Sequence, residues 1–177
     1  MLDNQLIQVF LPIVNAGLIA DGFTGVDVIA ANQPTQQGIP TGPTVYFYKL
    51  GDRRYGYLER DDNWDGLNMI HTETQYYETT FQFSSLVIQD PGTPNQYTAA
   101  DLVNEVAAIM QSDSTRQTLY NNNIAILRVQ NVSNGYFTDD KDTFEASPIF
   151  EFVLVHTQIR ASAGNPVNHT EFGVYRV

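Results

Sequence analysis

Apolar and polar positions alternate most clearly along residues 77–87, where Tyr77, Thr79, Phe81, Phe83, Ser85 and Val87 take the odd places and Glu78, Thr80, Gln82 and Ser84 the even ones. A period of two predicts a β-strand, and the segregation of rings from carboxylate, amide and hydroxyl groups predicts one buried face. The pattern begins upstream with His71-Thr72-Glu73, so residues 70–91 should hold a strand longer than the average, whose polar face suits an exposed sheet face or a contact surface.

Elsewhere the period is helical. Residues 1–20 place Leu2, Leu6, Ile7, Val9, Phe10, Ile13 and Val14 on one side behind a possible Asp3 cap, with Pro12 expected to end or kink the helix near Leu11. Thr98 with Asp101 opens a second helix carrying Leu102, Val103, Val106, Ala107, Ile109 and Met110, and Ser112-Asp113-Ser114 reads as a break and a fresh cap for residues 115–120. Residues 26–30 predict a first strand. Residues 45–50 and 55–60 predict a tyrosine-rich strand pair joined by Gly51-Asp52-Arg53-Arg54. Residues 124–132 and 149–159 predict two late strands around an acidic, aromatic excursion at 134–148, and residues 33–43, proline-punctuated and aperiodic, predict an extended loop. A domain over 1–160 followed by a C-terminal extension or arm at 161–177 is the expected organisation.

Composition narrows the chemistry. The chain has 177 residues and a formal charge of −11, enough length to bury a core without staples. Cysteine is absent, which removes disulfides, thiolate nucleophiles and Cys-based metal centres. No apolar run approaches the roughly 18 residues of a membrane span, so no membrane partner is expected. With 20 acidic against 9 basic residues, tight binding to a phosphate backbone is disfavoured, although DNA remains possible as a neighbour that slides past.

No catalytic constellation stands out, and no cofactor is expected. Asp61-Asp62-Asn63-Trp64-Asp65-Gly66 copies the start of a calcium loop, but the twelfth position is Thr72 and the flanks read as strands, so a solvated turn is the better reading. Asp139, Asp140, Asp142 and Glu145 read the same way, as solvated loop charge. His71, His156 and His169 show no helical metal pair, and Ser84 and Ser85 lie in a strand and lack the frame of a nucleophile elbow. The ten tyrosines suit an interface, because the ring offers a large rigid surface with a polar tip.

Several blocks taken in order resemble the tailed-phage neck and tail-terminator proteins: Gln33-Pro34-Thr35-Gln36-Gln37-Gly38, Arg54-Tyr55-Gly56, and His71-x-Glu73-x-Gln75-x-Tyr77-Glu78-Thr79-Thr80-Phe81-Gln82. The likeness continues through Asp101-Leu102-Val103-Asn104, Ile126-Leu127-Arg128, and Tyr136-Phe137-x-Asp139-Asp140-x-Asp142-x-Phe144-Glu145, covering residues 32–158. The resemblance implies a single α+β domain with a mainly antiparallel sheet of about five to six strands, helices on one face and long loops. It also implies a structural, non-enzymatic virion protein: a ring, six-membered in the family, that ends the tail tube, joins tail to neck and lets genome DNA pass unbound. Partners would be further copies of itself, the tail tube and neck or connector proteins, with assembly in the host cytoplasm. A head-completion adaptor is the close alternative, and a calcium-stabilised module or metal-dependent enzyme the distant one. Two sets of residues are the expected surfaces. Gln36, Gln37, Ile39, Tyr136, Phe137 and Phe144 are candidate subunit or partner contacts, and Glu59, Asp61, Asp62, Asp139, Asp140 and Asp142 are candidate lumen carboxylates.

Overall fold

The computed structural model describes residues 1–31, 42–89, 92–93, 95–138 and 144–164. In chain order these form helix α1 (Asp3–Ala20), strands β1 (Asp27–Ala30), β2 (Thr44–Trp64) and β3 (Met69–Leu86), helices α2 (Ala99–Gln111) and α3 (Asp113–Asn121), and strands β4 (Ile124–Val129), β5 (Ser133–Thr138) and β6 (Phe144–Gly164). One sheet runs in the order β1-β2-β3-β6-β4, with β5 also paired to β6, and among its pairings only β1 with β2 is parallel. Six mainly antiparallel strands and three helices around one core form the α+β class that the sequence implies.

The core follows from the two periods. On β3 the odd positions Thr79, Phe81, Phe83 and Ser85 are buried, and the register sets Phe83 between Phe47 of β2 and Phe150 of β6, with Phe81 beside Phe152. Leu6, Phe10, Val14 and Leu18 form a four-residue stripe on α1 that lies on these rings. Phe10 meets Phe47, Phe81, Phe83 and Phe152 edge-on at centroid distances of 5.1–6.1 Å. Each fully buried ring contributes on the order of 2–3 kcal/mol. At the start of α2, Thr98 Oγ1 accepts from the Asp101 amide while Asp101 Oδ2 accepts from the Thr98 amide, which closes the expected capping box.

Four expectations change. Helix α1 runs through Pro12 to Ala20, because both Pro12 and Gln8, the residue whose carbonyl it leaves without a partner, are exposed to water. Leu2 rather than Asp3 is its N-cap, and the Leu2 amide donates to Gln5 Oε1 at 2.8 Å. Residues 45–50 and 55–60 are not a hairpin: β2 is one strand of 21 residues, and Gly51-Asp52-Arg53-Arg54 pairs with Thr80-Thr79-Glu78-Tyr77. A continuous partner in β3 satisfies those backbone groups. Two bulges, at Lys49/Gly51 and Tyr55/Glu59, absorb the irregular residues, the second accommodating Gly56 at φ +70°. The expected excursion at 134–148 is strand on both sides, since β5 pairs with residues 144–149 and β6 therefore begins at Phe144 instead of Ile149. At Pro148 β6 has β5 as its one strand neighbour, because β3 joins it only from Ile149 onward, so the proline sits at an edge of the ladder.

Candidate functional site

Three strands outgrow the helical layer. The N-terminal end of α1 stands over β6, where the Met1 amine donates to the Thr157 carbonyl at 2.7 Å. Beyond that point residues 54–64 of β2 are almost wholly exposed, and with residues 69–77 of β3 and 157–164 of β6 they form a three-stranded arm. At the strand rise the arm is roughly 25–30 Å long. Both of its edges are open among the described residues: β1 accompanies β2 only as far as Phe47, and β4 accompanies β6 only to His156.

The β2–β3 turn at the arm's tip is fixed by Asp65, whose Oδ1 accepts from the amides of Leu67 at 2.8 Å and Asn68 at 2.7 Å. These bonds, Asn68's first, hold the carboxyl below the usual carboxylate range. Gly66 at φ +102° completes the turn, leaving Trp64 and Leu67 exposed. The calcium-like motif is thus the end of a strand and a turn. Among the described residues no group of three or more His, Asp or Glu converges as a metal site.

Alternation along the strands gives the arm two chemically different faces. The face continuing beneath the helices carries a shallow trough of about 180 Å3 lined by Arg54, Leu58, Glu73, Gln75, Gln158 and Arg160, with Tyr77 beside them. Arg60 pairs with Glu73 at 3.4 Å, and Asp62 Oδ1 lies 2.6 Å from His71 Nδ1. The Arg54 guanidinium sits 5.6 Å from the centre of the Tyr77 ring. Neither Arg54 nor Arg160 has a carboxylate partner among the described residues. Opposite them, the other face presents the tilted Tyr55–Tyr76 pair, the Arg53–Glu78 ion pair at 3.4 Å, exposed Ile159, and Glu59 and Asp61, which have no basic partner among the described residues.

A polar network ties the arm to the core. Thr79 Oγ1 donates to Asp52 Oδ1 at 2.7 Å, so its contact with His156 Nε2 at 2.9 Å is one in which the imidazole donates. That tautomer leaves the buried His156 Nδ1 without a partner among the described residues. Burial, then the positive N-terminus, lowers the His156 pKa from 6.5, outweighing the Thr157 carbonyl that would favour the charged ring. Burial alone would raise the Asp52 pKa, but hydrogen bonds from Lys49 and Thr79 lower it on balance. Lys49 also bonds Asp3, so the start of α1 is clamped to β2 by charge.

The expected surface residues fall in several places. Gln36, Gln37, Ile39, Asp139, Asp140 and Asp142 lie outside the described residues. Tyr136 and Phe137 are on β5 and Phe144 opens β6, so the backbone brings these three into one hairpin. Glu59 and Asp61 are together on one face of the arm, whereas Asp62 is on the other. Sequence reading passed over Arg54, Arg60 and Arg160. The signal was present: five of the nine basic residues, Lys49, Arg53, Arg54, Arg60 and Arg160, belong to the strands of the arm or its base. Treating residues 51–54 as a turn concealed it.

The chain matches the family model described as E217 gateway protein gp29 over residues 5–164, from the first turn of α1 to the last residue of β6. No curated protein sequence matches it. Among solved structures it is similar to the sheath/tube terminator, in its extended state, of the extracellular contractile injection system PVC. That likeness has a TM-score of 0.46 and 11% identity, and it covers 97% of this chain and 64% of the terminator, so the chain spans under two thirds of that protein's length.

Proposed function

Because the chain belongs to the E217 gateway protein gp29 family, we propose that it is a structural protein of a phage virion. In this reading copies of the chain form a ring, six-membered in the simplest case, at the head-proximal end of the tail, which ends the tail tube, meets the neck and leaves a passage for DNA. The observation that carries the reading is the extent of the family match, which takes in all three helices, every strand and the whole arm. The architecture is consistent with it. A sheet covered by helices on one side only, carrying an arm with two open edges and two exposed faces, offers surfaces that one copy alone does not fill. Residues 161–164 continue β6 beyond position 160.

The acidic balance fits a passage through which DNA moves without binding. A lumen rich in carboxylates repels the duplex, and at physiological salt that repulsion persists over about 8 Å. The arm carries its candidates on different faces, Asp62 on one and Glu59 with Asp61 on the other, and Asp139, Asp140 and Asp142 are further candidates. Imaging of intact virions tests the function. Density for this fold in a ring between tail tube and neck is expected, together with tails that fail to join heads when the gene is silenced. A position on the portal, away from the tube, would assign the chain as a head-completion adaptor instead, and its absence from the virion would end the proposal.

A further inference from the structure

Each copy carries a formal charge of −11, so copies repel one another unless their contact brings opposite local charges together. The arm is where the chain departs from its own average. On its helix-side face Arg54 and Arg160 stand exposed without carboxylate partners among the described residues, and on the reverse face Glu59 and Asp61 stand without basic ones among them. The register puts Arg160 at the height of Glu59 and Asp61, the rung Arg60–Glu73–Arg160 lying between the rungs Glu59–Thr74–Ile159 and Asp61–Thr72–Ala161, while Arg54 stands on the Tyr77 rung nearer the core.

We propose that the occupant of the arginine trough is a second copy of this chain, whose arm lays its Glu59–Asp61 face over the Arg54–Arg160 face of the first. Sheets stack about 10 Å apart, and with no sliding along the strands, the two bodies splayed apart so that each helical layer clears the next sheet, Arg160 of one copy stands against Glu59 and Asp61 of the next. Apolar groups lie beside them on both faces, Ile159 and the Tyr55–Tyr76 pair on one and Leu58 with Tyr77 on the other. Because the two faces differ, the contact is head-to-tail and repeats from copy to copy, as a closed ring requires. The inference deepens the ring reading and rests on it. It also assigns Glu59 and Asp61 to the contact between copies and, because the trough side that bears Asp62 is covered as well, takes the arm's carboxylates out of the candidate lumen.

The absence of cysteine makes the contact directly testable. Two full-length variants, Arg160→Cys and Asp61→Cys, distinguished by tags of different mass, are mixed at high concentration and treated with a short bis-maleimide. The mixed cross-linked dimer should predominate over either like-with-like dimer. No cross-link, or like-with-like products in equal or greater yield, overturns the proposal. Charge reversal supplies the second arm. Arg54→Glu with Arg160→Glu, or Glu59→Arg with Asp61→Arg, should each weaken self-association measured by sedimentation about tenfold, and all four together should restore it. Unchanged melting curves establish that the variants fold, and the milder Arg54→Gln with Arg160→Gln serves if they do not. Association indifferent to every reversal also overturns the contact. A mixed cross-link in a chain that imaging fails to find in the tail would sink the proposed function and leave this contact standing, whereas tail density without the cross-link would do the reverse.

Discussion

Replacing Gly17 by alanine puts two opposing effects in competition, and the structure says which wins. Gly17 lies in α1 where the helix crosses α2, and a Cβ built on it would stand 2.7 Å from Cγ2 of Ile109 and 2.8 Å from both its Cδ1 and Cγ1. All three atoms belong to one β-branched side chain, so rotating χ1 exchanges one clashing group for another, and a shift of Ile109 into the groove of about 670 Å3 that it lines with Gly17 gives up its buried contacts. Overpacking of this kind costs about 1–3 kcal/mol, while alanine recovers about 1 kcal/mol of helix propensity over glycine. With three contacts inside van der Waals distance the clash lies toward the upper end, and the net loss should be about 1–2 kcal/mol. Urea unfolding followed by circular dichroism should show a lower midpoint with an unchanged slope, and the melting temperature should fall by about 2–8 °C. Ile109→Ala alone should cost about 2–5 kcal/mol, yet in the double variant the new methyl partly fills the hole it leaves, so the pair should cost at least ~1 kcal/mol less than the sum. A Gly17→Ala protein as stable as the natural one, or strictly additive costs, would refute the close approach of α1 and α2.

Four further outcomes follow from the same structure. Phe10→Ala, which empties the meeting point of four rings, should destabilise by about 3–5 kcal/mol in chemical denaturation, and a loss under 1 kcal/mol would contradict the packing. Since the folded pKa of His156 lies below 6.5, the unfolded chain takes up the proton first on acidification; stability should be full above pH 6.5 and fall as pH drops through the folded value. His156→Gln, able to keep the donation to Thr79, should flatten that slope between pH 7 and 5 in thermal melts, and an equally steep slope would remove His156 as its source. Calcium should leave the melting temperature unchanged in both the natural chain and the Asp61→Asn, Asp65→Asn variant; a rise in the former that is abolished in the latter would restore the metal site. Tyr136→Ala with Phe137→Ala should preserve circular dichroism while tail-to-head joining fails in a complementation assay, and normal joining would clear the β5 hairpin of that role.

The elements were legible where one period ran uninterrupted against a single environment. The odd face of β3 from Thr79 to Ser85, the Leu6 and Phe10 positions of the α1 stripe, and the Thr98–Asp101 box all appear as local sequence rules predict, because each depends on neighbours within a few residues. What the sequence by itself determined was therefore the set of helices and core strands, the one-sided burial of the sheet, and the absence of cysteine chemistry. Pairing was decided elsewhere. Gly51-Asp52-Arg53-Arg54 has the composition of a turn, yet it is held straight by β3 running alongside it; Pro12 looks like a helix stop, yet it stands where water can satisfy the carbonyl it frees. Neither fact is local. The same holds for the arm, since Arg54 and Arg160 are more than a hundred residues apart and share a face with Arg60 only because β2, β3 and β6 run antiparallel in one register. Local physics chose which residues each strand would bury, and only the long-range alignment of three backbones could decide which charges would stand together outside.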